Sequence, residues 1–437
     1  VTVLVISPDY ASHLYPLAAL ATAWRDAGER VVVATGDATA GIVRSFGYER
    51  VPLQLGRGSN PGVIRAEQQP AGEDDALRGF FAATRRGMVE TLRFQAEARS
   101  SDLLWNPVEV ARDVQRVVER VRPDHVIVDH LAFSARLALQ SAGISHADVV
   151  LGHPTALPVG TEVYGFVSTW PDAFSPDPGD LDSLRGLCGR VRDAFTVQWN
   201  DALLRLDPGA TPTADAFTES GDVLLLNYPA ELHEAARGLL LPPHAFLGSA
   251  VRDDEPDAEA REWLARDAVP VVYVSFGSFL SVRGDVLARV VEALRPLDVR
   301  VALATGSTDP AELGPIPGSW LVREFLPQVS MLRRSALAVS HGGNNSVTEA
   351  MTHGVPLLLL PFSTDQFAGA AAVEAAGFGE ALDPNAGSPD EIRAAVIRLL
   401  ALRGEARDRL DRLSASLADE AGPARAFDAL RVVPEVR

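Results

Sequence analysis

The stretch from Ala336 to Gln366, ALAVSHGGNNSVTEAMTHGVPLLLLPFSTDQ, constrains the fold more than any other part of the chain. The apolar run Ala336–Val339 predicts a buried strand. His341, Gly342 and Gly343 follow it, and two residues without side chains let the backbone turn sharply and approach a ligand. Ser346-Val347-Thr348-Glu349 has the spacing of a capping box, and Gly354-Val355-Pro356 stops the helix that it opens. Leu357–Leu360 predicts the next strand, with Asp365-Gln366 just past its end. A glycine turn that feeds a helix start is an anion site, because unpaired N–H groups and the helix dipole both point outward.

The same alternation runs through the rest of the 437 residues, a length that suits two or three domains at roughly 100–200 residues each. Thr2–Ser7, Arg30–Thr35, Val51–Leu53, His125–Val128, Ala147–Leu151 and Val223–Leu226 read as strands of the first half. Pro16–Gly28, Asp75–Ser100, Val108–Val121, Ala132–Ala142 and Gly186–Leu206 read as its helices. Gly56–Asp75 reads as a loop. Pro229, Pro242, Pro243 and Pro256 mark a linker. Beyond it come strands at Val271–Ser275, Arg300–Ala304 and Trp320–Arg323, with helices at Gly284–Leu294, Pro389–Leu402 and Glu405–Leu417. Strands that alternate with helices predict parallel sheets covered on both faces, an α/β fold. The expected division is 1–228, a linker over 229–256, 257–404, and a terminal helical segment over 405–437.

Net charge is −18, which repels nucleic acid and anionic lipid, so neither is expected as a partner. It repels a diphosphate too, so local donors must hold one. All forty basic residues are arginine, which leaves no lysine for a P-loop or a pyridoxal Schiff base. The single cysteine, Cys188, allows no disulfide frame. VTVLVI lacks a basic flank and reads as a strand, and no apolar run reaches the ~18 residues of a membrane span. A soluble, cytoplasmic protein is expected.

Ligands of open parallel sheets bind beyond the carboxyl ends of the strands. His13 and Asp129 stand there in the first half, and Ser278, His341, Asp365 and Gln366 in the second. Imidazole titrates near neutrality and suits a general base, and a carboxylate on its other nitrogen would orient it. The competing readings are plain ones. A lone loop histidine is more often a surface or packing residue, Asp129 suits a turn or helix cap, and Glu349 would complete the capping box with Ser346.

The 336–366 stretch resembles the nucleotide-sugar signature of the GT-B glycosyltransferases of family 1. The matching residues are His341-Gly342-Gly343-Asn344-Asn345-Ser346, Glu349-Ala350, Gly354-Val355-Pro356 and Asp365-Gln366. Ser12-His13-Leu14-Tyr15-Pro16 is similar to the family's G-H-x-x-P, with Ser12 in place of its glycine. Pro123-Asp124-His125-Val126-Ile127-Val128-Asp129 is similar to its aspartate-ending strand.

The resemblance implies a GT-B fold, two Rossmann-like β/α/β domains facing across a cleft, with the last helix crossing back to the first half. It implies an inverting, metal-independent transfer of sugar from a TDP- or UDP-linked donor to a hydroxyl of an apolar acceptor of the polyketide type. His13 and Asp129 would be catalytic. Ser278, His341, Gly343, Asn345 and Ser346 would serve the diphosphate, Glu349 the ribose, and Asp365 and Gln366 the sugar. Phe325, Leu326 and Gln328 belong to the family's base-stacking x-P-Q segment, with phenylalanine where many members have tryptophan. No cofactor is implied, since the nucleotide sugar is a co-substrate, and a homodimer is compatible with this reading. Tyr164, Phe166, Trp170 and Phe174 either form the acceptor pocket or pack beneath their loop. The alternatives are an epimerase or hydrolase on the same fold and a non-catalytic binding helper.

Overall fold

The computed structural model describes residues 1–62, 73–266 and 269–431. Residues 63–72, within the expected loop 56–75, and residues 432–437 of the terminal segment lie outside the described residues.

Seven parallel strands form the first sheet: β1 (Thr2–Ile6), β2 (Arg30–Thr35), β3 (Glu49–Pro52), β4 (His125–Asp129), β5 (Ala147–Val150), β6 (Val223–Leu226) and β7 (His244–Phe246), in the order β3-β2-β1-β4-β5-β6-β7. Six form the second: β8 (Val271–Ser275), β9 (Arg300–Ala304), β10 (Leu321–Arg323), β11 (Leu337–Ser340), β12 (Leu357–Leu359) and β13 (Gly379–Ala381), in the order β10-β9-β8-β11-β12-β13. Strands buried on both faces must be apolar throughout. In β1, Val3 and Val5 enter one core and Leu4 and Ile6 the other, as the two-residue period of a strand requires. The helix Pro107–Val121 lays Val110, Val114, Val117, Val118 and Val121 on the sheet as one buried stripe.

Each sheet reverses its strand order once, between β1 and β4 and between β8 and β11. At such a reversal neighbouring strands send their connections to opposite faces, which opens a crevice at their carboxyl ends. Ile6 pairs with Val128, and Ser340 with Ser275, so the loops after these strands begin side by side.

The helices that position the site are α1 (Ala11–Leu20), α2 (Phe133–Ser141), α3 (Gln328–Leu332), α4 (Asn344–Thr352), α5 (Gln366–Ala376), α6 (Glu405–Asp419) and α7 (Gly422–Leu430). Helix α6 packs on the carboxyl half through Leu410, Leu413 and Leu417, and its Ser414 hydroxyl donates to the Thr352 carbonyl over 2.7 Å. Helix α7 returns to the amino half, where Ala426 and Leu430 enter the core and Phe427 meets Trp24 edge-on with ring centroids 5.1 Å apart.

Several local expectations need correction. The first helix starts at Ala11, so Pro16 lies inside it. The helix expected over Asp75–Ser100 is two, Glu73–Thr84 and Met88–Asp102, parted at Gly87 with φ +115, a conformation that side chains resist. The expected linker 229–256 contains β7, which extends the first sheet to Phe246 by pairing with β6. The expected box at Ser346 does not form either. Gly343 occupies the N-cap position and Ser346 lies within the first turn.

A buried ionic cluster ties α2 to β5. Asp148, fully buried, is hydrogen-bonded to His130 Nδ1 at 2.9 Å and forms an ion pair with Arg136, whose Nε stands 2.8 Å from the same oxygen, with His146 Nε2 3.4 Å from its other oxygen. Burial works to raise the Asp148 carboxyl, but Arg136 and the two histidines hold it well below the usual range. Burial and Arg136 lower the His130 pKa. Asp148→Asn leaves the Arg136 guanidinium buried without its counter-charge and is expected to cost about 3–5 kcal/mol, read from the shift in urea midpoint at neutral pH. The depressed carboxyl contributes its stability above the unfolded value of about 3.9 and loses it as pH falls, so variant and wild type converge in acid.

Candidate active site

The loop that leaves β1 is held by Asp9, whose carboxylate accepts the N–H groups of Ala38 at 3.1 Å and Thr39 at 2.9 Å. Helix α1 then carries His13 in its first turn. His13 Nδ1 lies 2.7 Å from Asp129 Oδ2 at the end of β4. Asp129 is 1% exposed and His13 26%. The other Asp129 oxygen accepts the N–H of Leu131 at 2.8 Å, so the carboxylate is both a turn residue and the histidine's partner. Burial pulls the His13 pKa down, but the charge and hydrogen bond of Asp129, helped by the charge of Asp365, raise it above the usual value. With Nδ1 committed to Asp129, Nε2 is the nitrogen left to accept a proton.

On the other side of the cleft, β11 ends in His341. The ring lies between two glycines: a Cβ on Gly343 would stand 2.4 Å from its Nε2 and one on Gly277 2.8 Å from its Cε1. Burial lowers the His341 pKa to about 4, only partly offset by the Ser275 carbonyl, so the imidazole is neutral at neutral pH. Helix α4 begins without a side-chain cap, and its first helical bond is Val347 N–H to Gly343 carbonyl at 3.1 Å. The N–H groups of Asn344, Asn345 and Ser346 therefore have no partner along the helix, and all three residues line the cleft.

The two halves are joined through this turn. Asn344 Nδ2 donates to the carbonyls of Leu151 (2.8 Å) and Asn227 (2.9 Å) in the amino half. Asn345 Nδ2 donates to the Ser12 carbonyl at 2.8 Å. Pro16 explains why that carbonyl is available. It has no N–H to return to the residue four before it, which is Ser12.

The cleft between the sheets has a volume of about 690 Å³, and His13, Ser278, Phe325, Leu326, Gln328, His341, Gly343, Asn345, Ser346, Glu349, Asp365 and Gln366 all line it. Asp129 alone among the expected residues stands behind the wall. Phe325 is 58% exposed and offers its ring. Glu349 is 4% exposed; its Oε2 accepts from Gln328 Nε2 at 2.6 Å, and Gln328 Oε1 accepts from Tyr273 at 3.3 Å. Its carboxylate thus serves the cleft wall and not a capping box. Asp365 and Gln366 are engaged already: Asp365 accepts the His153 N–H at 2.6 Å, and Gln366 Oε1 accepts those of Phe362 at 2.9 Å and Ser363 at 3.2 Å.

A second cavity, of about 1270 Å³, opens in the amino half beside Leu53, Leu55, Trp105 and Phe133. It shares Tyr10, His13, Glu73, Arg99, Leu131 and Phe279 with the cleft, so His13 stands where the two meet. The loop aromatics do not line either space. Tyr164 stacks on Phe217 at 3.9 Å and Trp170 packs on Phe367 at 4.8 Å, which settles them as packing residues. His125 and His146 flank the amino ends of β4 and β5, away from the cleft. Sequence reasoning missed Asn344, Tyr10 and Phe279. Asn344 sat in view at the variable position of the motif; nothing local marks the two aromatics.

Among the described residues no helix is long and apolar enough to cross a membrane. Residues 239–415 match the family model described as "UDP-glucoronosyl and UDP-glucosyl transferase". A UDP-glycosyltransferase CGT of Oryza sativa subsp. japonica is 35% identical over 410 residues, covering 80% of this chain and 82% of that protein. A 4'-demethylrebeccamycin synthase of Lentzea aerocolonigenes is 27% identical over 416 residues, 91% of each chain. The crystal structure of the glycosyltransferase of kitacinnamycin superposes with a TM-score of 0.69 at 21% identity over 98% of both chains, which shows the shared GT-B fold. The chain belongs to the UDP-glucuronosyl and UDP-glucosyl transferase family of glycosyltransferases.

Proposed function

We propose that the protein moves a sugar from a TDP- or UDP-linked donor in the cleft to a hydroxyl of an apolar, polyketide-type small molecule in the amino-half cavity, with inversion at the anomeric carbon. The observation that carries this reading is the His13–Asp129 pair at the junction of the two spaces. The likeness to a 4'-demethylrebeccamycin synthase supports a natural-product acceptor.

In this reading the acceptor O–H gives its proton to His13 Nε2 as its oxygen attacks the anomeric carbon from the face opposite the nucleotide. Asp129 stabilises the imidazolium that forms. The C–O bond to the diphosphate breaks, and its charge is met by the N–H groups that open α4, by Ser278 and by His341. His341 contributes as a neutral N–H donor, since burial keeps it uncharged. Phe325 stacks on the base, Glu349 accepts a ribose hydroxyl, and Asp365 and Gln366 meet the sugar with the hydrogen-bonding capacity their protein partners leave.

Mass spectrometry of products from a matrix of nucleotide sugars and hydroxylated aglycones tests the reading. A conjugate heavier than the aglycone by one glycosyl unit is expected, and free sugar as the sole product would overturn it. His13→Ala is expected to lower kcat by about 10²–10⁴-fold. The active form has His13 neutral, so kcat/KM should fall as pH drops through its raised pKa. Asp129→Asn removes the main raising influence and should move that acid limb to lower pH, while kcat falls. Gly343→Ala pushes the His341 ring aside and should weaken nucleoside diphosphate binding by about tenfold, measured calorimetrically.

A further inference from the structure

Arg252 lies in the segment between the two sheets, where the sequence suggested only a linker. It is 16% exposed, and among the described residues it and Arg99 are the two arginines on the wall of the donor cleft. Its Nη1 is 3.7 Å from Glu349 Oε1 and its Nη2 3.9 Å from Asp254 Oδ2. The guanidinium lies over the Tyr15 ring, 4.6 Å from its centroid, two residues along α1 from His13. Asp254 is fixed in turn, since its carboxylate accepts the N–H groups of Val329 at 2.9 Å and Ser330 at 2.8 Å at the start of α3.

Resting on the donor-site reading above, we propose that Arg252 is a positioning residue for the nucleotide: it pairs with the buried Glu349 carboxylate and keeps it aimed into the cleft, ready to accept a hydroxyl of the donor's ribose. The groups facing Glu349 leave this task to Arg252. Gln328 from α3 donates to its other oxygen, Tyr273 from β8 is bonded to Gln328, Ser346 lies one turn back on α4, and Asp254 adds a second negative charge. Burial pushes the Glu349 carboxyl up and leaves it above the usual range; Arg252 is the largest influence that opposes burial, followed by the Gln328 bond. The Tyr15 face restrains the guanidinium from the amino half, so the cation is held from both sides of the cleft.

The test is calorimetric binding of TDP and of UDP to the full chain from about pH 6 to about pH 8.5, for wild type, Arg252→Met, Arg252→Lys and Glu349→Gln, each taken as a ratio to wild type so that titration of the phosphates cancels. Without Arg252 the Glu349 carboxyl titrates at higher pH and is protonated first on the acid side. Arg252→Met should therefore bind about tenfold more weakly near pH 6 and recover toward wild type near pH 8.5, the size of one hydrogen bond to a charged group. Arg252→Lys should stay close to wild type throughout, and adding Glu349→Gln to Arg252→Met should abolish the pH dependence. Wild-type affinity in Arg252→Met overturns the proposal. So does a deficit equal at every pH with a lowered melting temperature, which would make Arg252 a packing strut. Wild type that binds neither nucleotide overturns the donor-site reading itself, whereas binding that ignores Arg252 overturns only this assignment.

Discussion

A proline inside a helix leaves one carbonyl without its helical partner, and in this protein that carbonyl is where the two halves meet. Pro16 cannot bond back to Ser12, so the Ser12 carbonyl accepts from Asn345 across the cleft. The residue after Ser12 is His13, and the residue after Asn345 is Ser346 in the uncapped first turn of α4. One hydrogen bond thus fixes His13 relative to the turn that offers its free N–H groups. Asn344 adds two bonds to the ends of β5 and β6, and Asp365 one to His153. These contacts tie the two halves together across the cleft and hold His13 in place relative to the α4 turn.

The electrostatics follow from an acidic chain that must bind an anion. With a net charge of −18, long-range attraction cannot gather a nucleotide sugar. In the proposed reading the site relies on short-range groups instead: backbone N–H groups at the start of α4, a neutral His341, and a few hydroxyls. Neutral donors are suited to this task in a partly buried cleft, since they bind charge without themselves paying a large desolvation cost. The charged pair is placed apart from them. His13 lines the amino-half cavity as well as the cleft, with Asp129 behind it, so in the proposed reaction the proton is taken on the acceptor's side while the departing charge is met on the donor's side.

The site was largely legible in the sequence, because its residues are local to strand ends and strand ends were readable as apolar runs. Where local reasoning erred, a tertiary contact outbid a local pattern. Ser346 and Glu349 have capping-box spacing, yet Gly343 takes the N-cap position and Glu349 is drawn to Gln328 and Arg252. Pro16 read as a helix start, yet α1 begins five residues earlier and tolerates the lost bond because Asn345 satisfies the carbonyl. The loop aromatics allowed two fates, and the choice of packing over pocket depended on Phe217 and Phe367, which are distant in the chain. Arg252 carried no local signal at all.

The sequence by itself determined the α/β class, the two strand-rich halves and the turn chemistry after each strand, because buried parallel strands need unbroken apolar runs and tight turns need glycine. Only the tertiary structure decided which strands are neighbours. His13 and Asp129 are 116 residues apart and meet because β1 lies beside β4 at the reversal of strand order. Sheet order is set by how helices of both faces pack against each strand, a sum over many distant contacts that no short stretch of chain contains.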